Sequence, residues 1–153
     1  VRKIVFLIVI LFSVLLTFGC VEEELTANFK DNGNEICTIN DKPIVRLYTT
    51  TVCPHCKWIG DTYEKVVTEY ADAGKIVAMH WKVDLGDDKL TPDFEGVFPA
   101  SEAEIFKSNN EKGYVPKFDF GCKYQRIGNP FKQENNLVKE EIEFRRVIEL
   151  LLN

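Results

Sequence analysis

The sequence predicts an α/β domain over residues 43–153, a four-stranded mixed sheet flanked by helices. Two observations predict it: β-branched runs at strand length, and their order among helical stripes, which is strand–helix–strand, helix, then strand–strand–helix. The first unit needs a crossover helix, so its strands are parallel and right-handed, whereas the last two strands are close enough only for a hairpin.

Ahead of that domain, Arg2 and Lys3 precede an uncharged run from Ile4 to Phe18 that ends at Gly19-Cys20. A basic start, an apolar stretch and a small residue make the pattern of an export signal, so residues 1–20 are expected to be a signal or anchor segment. Three outcomes fit: lipidation at Cys20, an uncleaved anchor, or plain cleavage. Ile4 to Val21 as helix would run roughly 27 Å, just enough to span a bilayer. Each places the rest outside the cytoplasm, because the positive end stays inside. Residues 21–42, with Glu22, Glu23, Glu24 and the turn chemistry of Asp31-Asn32-Gly33-Asn34, are expected to be an acidic tether.

Within the domain, Pro43 to Thr50 is β-branched and reads as a buried strand. After Cys53-Pro54-His55-Cys56, the residues Ile59, Tyr63, Val66, Val67 and Tyr70 repeat at helical spacing, and Gly74 closes that helix. The second strand, Lys75 to Asp84, alternates, with Met79, Trp81 and Val83 on one face and His80 and Lys82 on the other. Residues 85–100 are irregular. Ser101 to Glu104 is a capping box that should open a short helix to about Asn109. Strands Val115–Phe120 and Lys123–Ile127 meet at Gly121-Cys122. A last helix, from about Asn136 to Leu152, should bury Leu137, Val138, Ile142, Ile148 and Leu151, with Arg145 breaking the stripe.

Composition narrows the function. The 153 residues are 45% hydrophobic and 28% charged with net charge −5, a globular balance without the basic clustering that nucleic acid requires. Five cysteines is an odd count, so pairing leaves one over.

A Cys-X-X-Cys between first strand and helix, with Val115-Pro116 opening the third strand, resembles the thioredoxin superfamily across residues 42–152. Pro54 suits the first helical position, which makes Cys53 the cap residue, with free N–H groups and the positive dipole end at its sulfur. These favour thiolate over thiol and should lower its pKa from about 8.5 into the roughly 3.5–7.5 range. Cys53 is then the nucleophile, and Cys56, one turn inside, the resolving thiol. The resemblance implies that His55 tunes the thiolate, as in the strongly oxidising members, where Pro-His separates the cysteines. It also implies a cis Pro116 whose preceding residue, Val115, borders a groove for extended substrate. Relatives often bury a carboxylate six residues before the first cysteine; Leu47 stands there instead.

Rival readings of the motif are weaker. Haem attachment requires His where Lys57 stands, and zinc needs two further ligands whereas Cys37 and Cys122 are single and distant. No metal or organic cofactor is expected, the redox-active disulfide serving instead. The topology brings the start of the first strand and the end of the third to the pole opposite the motif, so Cys37 and Cys122 are expected to pair, the alternative being two free thiols. Closing that loop would contribute on the order of 4.5 kcal/mol in the chain-entropy model.

Together these imply an extracytoplasmic thiol–disulfide oxidoreductase of a prokaryotic envelope, membrane-anchored through Cys20 or its preceding segment. Its partners would be exported protein clients and a membrane redox partner, with oxidation or isomerisation favoured. The alternatives are a reductant of surface or apocytochrome disulfides and a non-catalytic binding module.

Overall fold

A computed structural model describes residues 28–153. The export-signal and Cys20 expectations fall outside those residues. Among them, no helix is long and apolar enough to cross a membrane.

The elements in order are β1 (Lys30–Asp31), β2 (Thr38–Ile39), β3 (Lys42–Thr49), α1 (Pro54–Asp72), β4 (Val77–Lys82), β5 (Asp87–Asp88), α2 (Ala100–Lys107), β6 (Lys117–Phe120), β7 (Tyr124–Ile127) and α3 (Leu137–Leu152). The sheet has seven strands rather than the four expected. Its order is β1-β7-β6-β3-β4-β5, with β2 also paired to β3. The additional strands β1, β2 and β5 are two residues each, too short to carry a period in the sequence. β3 and β4 are parallel, with Leu47 opposite His80, and β3 runs antiparallel to β6.

β3 is central, and all its residues from Pro43 to Thr49 are buried because both faces are covered. Val45 and Leu47 meet Ile59, Tyr63, Val66 and Val67 of α1 and Phe144, Val147, Ile148 and Leu151 of α3. On the other face Tyr48 packs with Trp81 and Phe106. Met79 and Val83 join that second cluster, as the alternation of β4 requires.

Three expectations need correction. From residue 28 the supposed tether is part of the domain: Phe29 is buried among Phe118, Phe120 and Phe144, and β1 lies on β7. One aromatic in a polar stretch shows no periodicity, so its burial is decided only by the third dimension. The box at Ser101 does not cap α2, whose cap residue is Pro99 without a side-chain bond. Glu102 instead turns inward to Arg46 (3.0 Å) and the Tyr48 hydroxyl (2.7 Å).

The third correction concerns α3. It buries Glu140, Glu143, Phe144, Val147, Ile148 and Leu151, leaving Val138 and Ile142 exposed. The helix is rotated so that its two glutamates reach Arg126, which is 4% exposed and stacked on the rings of Phe29, Phe118 and Phe144. An isolated charge cannot stay buried, so the arginine dictates which face turns inward.

Candidate active site at Cys53 and Cys56

The motif sits where β3 hands over to α1. Cys53 is the cap residue, with extended backbone (φ −81°, ψ 114°), and Pro54 occupies the first turn, where a missing N–H costs nothing. The Cys56 N–H donates to Cys53 Sγ at 3.1 Å. The two cysteines form a disulfide across one turn, Cα–Cα 5.2 Å. They are unequal: Cys53 is half-buried, while Cys56 is 1% exposed. His55 and Lys57 between and beyond them are exposed.

The loop ahead of the motif is tied down. Thr51 donates through its N–H (3.0 Å) and its hydroxyl (2.5 Å) to the Asp84 carboxylate just past β4. These bonds hold the Asp84 carboxyl below its usual range despite the opposing effect of desolvation.

Opposite the cysteines runs the turn before β6. The Val115–Pro116 peptide is cis, and the Val115 carbonyl oxygen lies 3.9 Å from Cys53 Sγ. Asn110, 3% exposed, fixes this turn from behind: its side-chain oxygen accepts the Tyr114 N–H (2.9 Å) and its amide donates to the Tyr114 carbonyl (3.0 Å). Tyr114 and Val52 flank the site with exposed side chains.

A third wall was not foreseen from the sequence. The segment between β7 and α3 reaches back to the motif helix, where Asn129 donates to the His55 carbonyl (2.8 Å) and Trp58 donates to Asn135 (2.9 Å). Lys132 lies over the Trp58 ring at 5.5 Å. The turn-forming run Gly128-Asn129-Pro130 was the available signal, but it marks a turn and not what the turn touches.

Cys37 and Cys122 lie at the far end of β3 and form a second disulfide, Cα–Cα 5.6 Å. Around it the Cys37 carbonyl accepts the Ile44 N–H and the Gly121 carbonyl accepts the Cys37 N–H. Among the described residues, these two sulfurs and the Asp119 carboxylate are close enough to hold a metal ion. Both sulfurs are committed to the disulfide, however, and the Arg46 guanidinium lies 3.4 Å from the Cys37 sulfur, where a cation would be repelled.

This geometry places a capped, half-buried sulfur beside an open peptide carbonyl, with a second sulfur sealed behind it. In sequence, 90 residues, or 59% of the chain, are 29% identical to a Schizosaccharomyces pombe protein provisionally named a protein disulfide-isomerase. That match covers 17% of the yeast protein's length. No family model matches the chain, and no solved structure matches it.

Proposed function

We propose that this protein is a thiol–disulfide oxidoreductase acting on protein clients through Cys53 and Cys56, in the oxidising or isomerising direction. The observation that carries the reading is Cys53 at the start of α1. Its sulfur accepts a backbone N–H at 3.1 Å and faces the Val115 carbonyl beside a cis proline. The N–H and the helix dipole stabilise a thiolate there, the species that attacks and leaves in disulfide exchange. The resemblance of Cys53-Pro54-His55-Cys56 to the superfamily's oxidising members and the similarity to the yeast protein support the same reading.

In the oxidising direction a client thiolate attacks Cys53 Sγ. The Cys53–Cys56 bond breaks and Cys56 leaves with the electron pair. A second client thiolate then attacks the client sulfur of the mixed disulfide, so the client disulfide forms and Cys53 leaves as thiolate. Two electrons pass from client to protein. An extended client would pair with the backbone at Val115, and exposed Tyr114 and Val52 would border it. A membrane redox partner outside the cytoplasm would reoxidise the pair, if residues 1–20 act as the export signal or anchor that their sequence pattern suggests.

Trapping tests the reading. Cys56→Ser should accumulate protein clients disulfide-linked to Cys53, released by reductant, and Cys53→Ser should accumulate none. If neither variant captures a thiol-bearing client, the site is not an oxidoreductase.

A further inference from the structure

The turn that ends in the cis proline is also one end of a groove. Two adjoining cavities of about 500 and 240 Å³ share Lys30, Asn109 and Ile127 in their walls. The larger begins at Tyr114, the residue before Val115, and the smaller runs on to Asn32 beyond β1.

Backbone pairing fixes where this groove lies. The Gly128 N–H donates to the Pro116 carbonyl (2.8 Å), which sets Ile127, 43% exposed, against the turn. Lys30 stands opposite Gln125, two residues back along β7. At about 3.4 Å per residue that is about 7 Å further from the motif. The Val115 carbonyl oxygen lies 3.9 Å from Cys53 Sγ. The groove therefore starts beside the reacting sulfur and follows the edge of the sheet away from it.

Its charge is opposite to that of the chain, which carries −5 overall. Two exposed lysines, Lys30 and Lys112, face a single exposed carboxylate, Glu111. Arg126 also borders the groove, but Glu140 and Glu143 neutralise it. Among the described residues neither Lys30 nor Lys112 forms an ion pair. Between them the surface is amide: Asn109 donates to Gln125 Oε1 (3.1 Å) and to Asn32 Oδ1 (3.4 Å). Side-chain amides both donate and accept, as an extended peptide backbone requires, and unpaired ammonium groups attract carboxylates.

We propose that this groove receives an extended, acidic stretch of the protein client, about three to four residues from the cysteine that joins Cys53. The inference rests on the redox reading above and adds client selectivity to it. Ile127 meets an apolar side chain next to the client cysteine, and Lys30 and Lys112 meet carboxylates further along. The exchange itself is unchanged: the client thiolate attacks Cys53 Sγ and Cys56 leaves with the electron pair. The groove decides which thiolates arrive.

The test mixes the oxidised full chain with reduced peptides, each carrying two cysteines flanked on both sides by glutamate, glutamine or lysine. Peptide disulfide formation is followed by acid quench and mass. Each rate is divided by that of the same peptide with bis(2-hydroxyethyl) disulfide, which removes differences in intrinsic thiol reactivity. Salt is held at about 0.15 M, where charges beyond about 8 Å are screened. The glutamate peptide should react about fivefold faster than the lysine peptide, with glutamine between them. Lys30→Glu combined with Lys112→Glu, both at exposed positions, should reverse that order and leave oxidation of uncharged dithiothreitol at the wild-type rate. A purely structural role for the lysines would not reverse a preference. Equal rates for the three peptides in the wild type, or the same order in wild type and double variant, would overturn the inference alone. A Cys53–Cys56 disulfide that dithiothreitol leaves intact would overturn the redox reading and this inference with it.

Discussion

The backbone favours thiolate at Cys53 through the Cys56 N–H, which donates to its sulfur at the positive end of α1, whereas the Val115 carbonyl oxygen 3.9 Å away adds nothing to that preference. In the reduced protein, alkylation of Cys53 should titrate with a midpoint below about 8.5, and that of Cys56 above it, because the second sulfur is buried. Rate measurements with iodoacetamide across pH on the two single-cysteine variants check this; equal midpoints would refute it. At this scale the motif was legible from sequence, because proline after a cap position fixes a helix start wherever it occurs. His80 was not legible. Its partners Thr49 and Glu64 come from β3 and α1, and only the parallel register of β3 and β4 assembles the three.

Among the elements, charged side chains set the placement of α2 and α3. Arg126 and Glu140 are almost fully enclosed, with side-chain exposures of 2% and 0%. Burial pushes the Glu140 carboxyl up, and Arg126 draws it back. Arg126→Met should therefore cost about 3–5 kcal/mol in denaturant unfolding, because it leaves buried carboxylates without a counter-charge. Replacing Arg126, Glu140 and Glu143 together with apolar residues should recover much of that loss. Lys117 is equally informative. Its ammonium closes the end of α2 by donating to the carbonyls of Ile105 (2.5 Å), Phe106 (3.1 Å) and Ser108 (2.7 Å). Burial pushes its pKa down to about 8. Between that value and the ordinary lysine range near 10.4 the unfolded chain binds a proton that the folded chain has released, so this group makes stability rise with pH there. A stability–pH slope that is the same in wild type and Lys117→Met would contradict it. Such inward charges explain why α3 misled sequence reasoning: Glu140 and Glu143 read as a solvent face until Arg126 stands opposite them.

Across the whole molecule, the four principal strands and the helices between them were readable as alternation and stripes, because each is a run of at least four residues packed against the clusters on the two faces of the sheet. The arm from residue 28 to β2 was not, since Phe29 and two-residue pairings hold it to the sheet. The Cys37–Cys122 disulfide, whose ends are 85 positions apart in sequence, fastens this arm to the β6–β7 hairpin. Replacing both cysteines with serine should lower stability by about 2–5 kcal/mol while leaving exchange at Cys53 intact, as thermal unfolding and glutathione capture would record. Under the proposed function the two disulfides divide the labour, Cys37–Cys122 holding the fold and Cys53–Cys56 exchanging with clients. Equilibrating the protein in glutathione buffers and scoring Cys53 and Cys56 by alkylation and mass tests that division most directly. An oxidising or isomerising pair should show a two-electron transition between about −180 and −120 mV. A pair still oxidised below about −300 mV, as structural disulfides are, would contradict redox exchange at this site, and a value near about −270 mV would contradict its direction.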